Sequence, residues 1–235
     1  MNYRGIFLVG LWCSGGMLTR AWVLFLAGVE TGGRVVCSGT FYKAHVVVTA
    51  ATCAQGPVED YWVREDSNMT NRFKVLKKVS HPSYKYDKTP SWNVAVLFLK
   101  RPKAPYKRVK LNIGKHSGLL APNLKLTGWK ITSTDTGYTA TIESLSLRLK
   151  SVTLCSAGYV KPLDPSHEFC TGLGNSGRGS CAFLPGTPIY YPGLIKAVVV
   201  GIISWNRPCA LFDLAPIFTK IASVEGWLTK ISTTI

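Results

Sequence analysis

Acidic side chains are scarce in this 235-residue chain: 12 Asp and Glu stand against 28 Lys and Arg, a formal net charge of +16. That shortage excludes strongly basic molecules as ready partners, and it creates a positive potential that draws polyanions. Charged residues of both signs reach only 17%, against 46% hydrophobic, which excludes an extended disordered chain. Beyond the first few residues no apolar run is long enough to cross a bilayer as a helix, so the chain is expected not to be transmembrane. None of the seven cysteines sits in a C-x-x-C pair, which removes the usual zinc signature. No metal and no cofactor is expected. Internal repeats and low-complexity tracts are absent as well.

What is present reads as β structure. The 22 glycines and 13 prolines supply frequent reversals, which suit short strands better than long helices. Trp22 to Leu26, His45 to Thr49, Val94 to Leu99 and Ala197 to Trp205 are compact apolar runs expected as buried strands. Leu145, Leu147 and Leu149 alternate with Ser146, Arg148 and Lys150, the period of a half-buried strand. Only the end looks helical, with Ser223 as its cap, Glu225 in the first turn, and Trp227, Leu228 and Ile231 on one face. Arg101 to Arg108 is the best linker between two halves. At the start, Arg4 precedes the apolar stretch Gly5 to Trp12 and then Ser14, Gly15 and Gly16, a signal-peptide pattern over residues 1–16. Its removal would take away Cys13 and leave six cysteines, which fits disulfides and an oxidising, extracellular compartment. Sequence alone leaves the pairing of those six open.

A resemblance then becomes specific. Cys37 to Cys53, ending Val-Thr-Ala-Ala-Thr-Cys, resembles the C-G-G-S-L…W-V-L-T-A-A-H-C segment of trypsin-like serine proteases. His81 to Tyr84 is similar to H-P-x-Y, Asn93 to Leu97 to D-I-A-L-L, Leu126 to Trp129 to V-T-G-W, Phe169 to Gly172 to F-C-A-G, Gly201 to Trp205 to G-I-V-S-W, and Pro216 to Ile221 to G-V-Y-T-K-V. These segments follow in the family's order over nearly the whole chain. The resemblance implies an all-β fold of two antiparallel six-stranded β-barrels with a short C-terminal α-helix. It places a peptidase domain at 17–235, with the N-terminal barrel at about 17–108 and the C-terminal barrel and helix at about 109–235. It also implies the bridges Cys37–Cys53, Cys155–Cys170 and Cys181–Cys209, each contributing roughly 2–4 kcal/mol by restricting the unfolded chain.

The chemistry of the family does not carry over. A serine protease needs a hydroxyl nucleophile, an imidazole to take its proton and a carboxylate to orient that imidazole. By resemblance these positions are Pro185, Thr52 and Asn93. His45, seven residues before Thr52, is expected as a packed strand residue and not a relocated base. Gly174 to Gly177 mimics G-D-S-G, but Ser176 precedes Cys181 whereas the family's serine follows that cysteine. The oxyanion hole needs a backbone N–H at the nucleophile position and at the glycine two before it. Proline at 185 has none, and Phe183 replaces the glycine. Leu184 stands where the family's activation aspartate would be. The specificity-pocket equivalents are Gly179, Asn206 and Pro216, which imply a narrowed pocket. The chain is therefore expected not to be an enzyme.

Two binding roles follow as expectations. The first is a secreted inactive homologue that binds a protein, as a regulator, cofactor or decoy in an extracellular proteolytic pathway of immunity or reproductive fluid. The second is binding of a polyanion, such as a heparin-like glycan, an acidic membrane or a microbial surface. From Arg72 to Lys115 there are 13 Lys or Arg against Asp87 alone. Lys74, Lys77, Lys78, Lys85 and Lys88 form one group; Lys100, Arg101, Lys103, Lys107 and Arg108 form another. No nucleic-acid partner is expected of a secreted, disulfide-bonded protein. Asn68 opens an Asn-Met-Thr sequon and is a glycosylation candidate. Glu59, Asp60, Glu65 and Asp66 lie near the family's calcium loop, but their spacing does not predict calcium.

Overall fold

The computed structural model describes residues 25–65, 71–86, 91–100, 110–111, 124–134, 137–156, 162–172, 181–192, 197–205 and 216–233. The signal-like segment, the 101–108 linker and Asn68 lie outside them.

Six strands close into a first barrel: β1 (Leu26–Thr31), β2 (Arg34–Lys43), β3 (Val46–Thr49), β4 (Tyr61–Arg64), β5 (Arg72–Ser80) and β6 (Ala95–Leu99). Their order round the barrel is β1-β2-β3-β6-β5-β4, antiparallel throughout. Gly32 and Gly33, both with positive φ (56° and 78°), make the two-residue reversal between β1 and β2. The apolar runs of β3 and β6 do not alternate because both faces are covered. Val47, Ala95, Leu97 and Leu99 point into the barrel core with Phe41, Val63 and Val75. Val46, Val48, Val96 and Phe98 point outward into a seam with Tyr190, Val199, Ile202, Ile221, Val224 and Leu228 of the second lobe. Burial on both faces is what makes these strands read as continuous hydrophobic sequence.

The second lobe is a sheet of eight strands: β7 (Lys110–Leu111), β8 (Leu124–Thr134), β9 (Gly137–Leu147), β10 (Leu149–Lys150), β11 (Glu168–Thr171), β12 (Pro188–Tyr191), β13 (Val198–Trp205) and β14 (Ile217–Lys220). The path is β10-β11-β14-β13-β12-β8-β9, and β7 pairs in parallel with β13. Leu124, Leu126, Leu147, Phe169, Ile189, Val200, Ile203 and Phe218 fill its core. The 145–149 alternation turns Leu147 into that core, with Leu145 and Leu149 packed against it and Ser146 and Arg148 exposed. A short helix α1 (Val152–Ser156) precedes β11, and α2 (Glu225–Thr233) ends the described chain.

Two local expectations are corrected, at His45 and at Ser223. Of the expected strand Trp22 to Leu26, residues 22–24 lie outside the described residues; β1 takes in Leu26 and runs on through Glu30 to Thr31. Glu30 is buried because Arg64 reaches it at 2.7 Å and Arg72 adds a second guanidinium. A buried carboxylate is tolerated when paired in this way. His45 lies in the turn before β3, not in the strand, and its carbonyl accepts the Leu99 N–H at 2.9 Å. Ser223 does not cap the last helix. It sits in a 3-10 turn, Ile221–Val224, with its hydroxyl on the Lys220 carbonyl at 2.6 Å, and α2 starts at Glu225.

Candidate functional site

Of the three positions that the resemblance assigns to catalysis, two are hydrogen-bonded to each other where the lobes join, and the third lies against the neighbouring Cys53. Thr52 lies in the 3-10 turn Ala51–Ala54 after β3, Asn93 leads into β6, and Pro185 lies in the loop before β12. Asn93 is fully buried. Its Oδ1 accepts the Thr52 N–H at 2.9 Å, and its Nδ2 donates to the Ser204 carbonyl at 2.8 Å and to Thr52 Oγ1 at 3.3 Å. The Asn93 carbonyl accepts the Thr219 hydroxyl at 3.2 Å. The side-chain amide thus ties the turn after β3 to β13, and the backbone carbonyl of the same residue adds β14. The arrangement needs both a donor and an acceptor on the same side chain, which an amide has and an ionised carboxylate lacks. Ser204 Oγ beside it is buried without a hydrogen-bond partner.

The segment at Pro185 is sewn into the protein through its backbone. Ile131 N–H donates to the Ala182 carbonyl at 3.1 Å and Leu184 N–H to the Trp129 carbonyl at 2.9 Å, around a bridge between Lys130 and Phe183. Gly186 N–H is spent on the Ile203 carbonyl at 2.8 Å, and the Pro185 carbonyl takes the Ser38 N–H at 2.9 Å. Gly186 has φ of 80°, and a side chain there would drive into the Ser38 carbonyl and Thr49, so only glycine fits. Leu184 is buried among Leu26, Val35 and Trp129, an apolar setting with no place for a carboxylate. Phe183 is buried in the core of the second sheet. No imidazole, no carboxylate and no serine hydroxyl stands at the three positions. What the geometry supports is a rigid joint between lobes.

Disulfides join Cys37 to Cys53 and Cys155 to Cys170, and Cys181 is also disulfide-bonded. The sulfur of Cys53 lies 3.7 Å from the Pro185 carbonyl, so the first bridge borders the joint. Cys209 lies outside the described residues, as do Gly179 and Asn206. Pro216 is buried and leads into β14. Among the described residues no cluster of three His, Cys, Asp or Glu is arranged for a metal.

The basic residues divide. Lys74, Lys77 and Lys78 project from β5, Lys85 bridges to Ser91, and Lys100 follows β6. Lys88, Arg101, Lys103, Lys107 and Arg108 lie outside the described residues. On β5 and β4 the cations fold over aromatic rings. Arg72 and Lys74 lie 4.3 and 4.8 Å from the Trp62 ring, and Lys78 lies 4.4 Å from that of Tyr61. Lys74 also meets the Glu59 carbonyl and Lys78 the Gly56 carbonyl. Burial pulls the Lys78 ammonium below its usual pKa, opposed by Glu59 and Asp60.

Sequence reasoning passed over a stack of rings at the same seam. His81 and Trp92 lie parallel with centroids 4.9 Å apart, Trp92 and His167 at 4.3 Å, and Trp227 of α2 meets His81 edge-on at 5.0 Å. Burial, with His167 nearby, lowers the pKa of His81 below 6.5. His167 falls in no recognisable motif, and its place in the stack is set by tertiary packing alone.

Comparison with known proteins follows the same lines. A model of the Trypsin family matches residues 11–228. The chain is similar to Glucanase inhibitor protein 1 of Phytophthora sojae, 29% identical over 234 residues covering 92% of this chain and 87% of that protein. It is also similar to Glucanase inhibitor protein 3 of Phytophthora infestans, 26% identical over 85% of this chain and 79% of that one. Trypsin V-B of Rattus norvegicus is 22% identical over 84% of this chain and 80% of its own. Among solved structures, a Kallikrein-related peptidase 10 complex with Zn2+ superposes with a TM-score of 0.69 at 19% identity, over 90% of this chain and 97% of that one. That likeness speaks to fold alone.

Proposed function

The chain belongs to the trypsin family, and from that premise we propose that it is a secreted, non-catalytic member that acts by binding and inhibiting another secreted hydrolase. The observation that carries this reading is the buried tie of Asn93 to Thr52 and Ser204 beside a proline at the nucleophile position. Residues that would do the chemistry hold the lobes together instead. The five disulfide-bonded cysteines within the described residues suit an oxidising, extracellular setting. No helix among the described residues is long and apolar enough to cross a membrane.

The target class comes from the relatives. Two of them are named as glucanase inhibitors, so the regulator or decoy role expected from sequence is assigned to a glucan-hydrolysing enzyme instead of a proteolytic pathway. Binding a protein does not require a working triad. It requires surface loops on a rigid frame, which the family scaffold supplies. Titrating the purified protein into a panel of secreted endoglucanases, with reducing-sugar release as the readout, should lower the activity of at least one by about tenfold at near-equimolar ratio. A sub-micromolar complex corresponds to roughly 8 kcal/mol or more of binding free energy. If every enzyme in the panel keeps full activity and none co-elutes with the protein on gel filtration, the inhibitor reading is wrong.

A second reading is favoured by one specific feature, the Trp62 ring with Arg72 and Lys74 over it on the β4–β5 face. Aromatic rings edged by cations suit an anionic glycan, which offers both sugar faces and charges. On this reading the protein elutes from heparin at clearly higher salt than from a plain cation exchanger, and the Lys74→Ala/Lys78→Ala double variant loses the difference. Equal elution from the two resins would leave the charge as a solubilising feature only.

A further inference from the structure

Away from the Thr52–Asn93–Pro185 joint, three side chains meet in another arrangement of chemical interest. Ser91 Oγ lies 2.9 Å from His167 Nε2, and His167 Nδ1 lies 3.3 Å from Asp164 Oδ2. Ser91 comes from the segment leading into β6, whereas His167 and Asp164 come from the turn before β11. The array therefore forms only when the lobes are packed together.

Each member is held. His167 is buried, its ring stacked on Trp92 at an interplanar angle of 11°. Asp164 closes its own turn: Oδ1 accepts the Ser166 N–H at 2.8 Å, and its backbone N–H donates to Glu168 Oε2 at 3.0 Å. Its Oδ2 faces the imidazole. Ser166 Oγ, 3.0 Å from Nδ1, is a second partner on the same side. With acceptors on that side, the proton of a neutral ring belongs on Nδ1, and Nε2 is free to accept from Ser91. Ser91 is half-buried and fixed by its bridge to Lys85. Trp92 beside it carries φ of 51°, the one non-glycine positive φ among the described residues. Strain of this kind is kept where surroundings over-determine a geometry. It turns Ser91 to His167 while Asn93 enters the buried joint.

We propose that Ser91 is an activated serine, a covalent modification site for small uncharged acyl or phosphonyl electrophiles, with His167 as its proton acceptor and Asp164 as the positioning residue. Nucleophile, base and orienting carboxylate are recognised by mutual geometry and not by place in the sequence. With a fluorophosphonate, Ser91 Oγ attacks phosphorus, the O–P bond forms, the P–F bond breaks and fluoride leaves. The hydroxyl proton passes to His167 Nε2, and the imidazolium is held by Asp164. The product is a stable adduct, one per chain. The proposal does not depend on the identity of the protein's partner.

The test is exposure of the folded protein to a biotinylated fluorophosphonate near pH 8, with the adduct mapped by peptide mass spectrometry. Label is expected on Ser91, absent from Ser91→Ala, and slowed about tenfold or more in Asp164→Asn, with part of the rate restored in Asp164→Glu. Ser91→Ala and the Asp164 variants alter half-exposed or exposed side chains, and melting curves establish that they remain folded. Wild-type protein unfolded in urea should lose the reaction, because the array joins two lobes. Absence of label at Ser91, label confined to other serines, or equal rates in wild type, Asp164→Asn and unfolded protein would each overturn the assignment.

Discussion

Replacing Asn93 with aspartate, the change that nominally restores a family carboxylate, should cost about 3 kcal/mol of stability at neutral pH. The asparagine amide donates to the Ser204 carbonyl at 2.8 Å from a fully buried position. A carboxylate cannot donate, so it would face that carbonyl oxygen with a negative charge and no solvent. The Thr52 N–H, and the unpartnered Ser204 hydroxyl if it rotates, would still serve it, which keeps the loss from growing larger. For a chain of this length the cost corresponds to a fall in Tm of roughly 6–12 °C. The pH dependence gives the cause. Burial and the facing carbonyl raise the folded-state pKa of the new acid above its unfolded value of about 4. The protonated form can donate to Ser204, so the deficit relative to wild type shrinks at acid pH and opens as pH rises through the folded pKa. Paired denaturant titrations at about pH 4 and pH 7 measure this. A variant as stable as wild type at both would show that the tie contributes nothing.

The joint also shows what could be read from residues and what could not. The strand runs of β3, β6 and β13 were legible because burial on two faces leaves an unbroken apolar pattern, and the alternation at Leu145, Leu147 and Leu149 because one face is wet. That Thr52, Asn93 and Pro185 depart from the family's pattern was legible from the resemblance. Their contacts were not: the partners of Asn93 lie 41 and 111 residues away, and no local pattern specifies them. The burial of Glu30 had no local signal for the same reason, since the arginines that permit it arrive from β4 and β5. Ser223 offered a plausible cap by local rules, but the chain spends a 3-10 turn against the seam before α2 begins. His167 carried no signal at all. Its partners, Ser91 and Trp92, are brought to it only by the docking of the two lobes.

Peptide turnover is where the account expects its largest effect. Losing nucleophile and base together removes on the order of a million-fold in rate in a working serine protease. Here the position that the resemblance assigns to the nucleophile is Pro185, with no side-chain hydroxyl and no N–H, and the Leu184 and Gly186 amides on either side are bound to Trp129 and Ile203. The array at Ser91 is not a substitute, because a single acylation without release of product is not turnover. The deciding measurement is the hydrolysis of a broad fluorogenic peptide mixture by the purified wild-type protein, with active trypsin as reference. The account predicts a rate indistinguishable from buffer at every concentration tested. Cleavage that rises in proportion to the protein and follows it through a final purification step would contradict it.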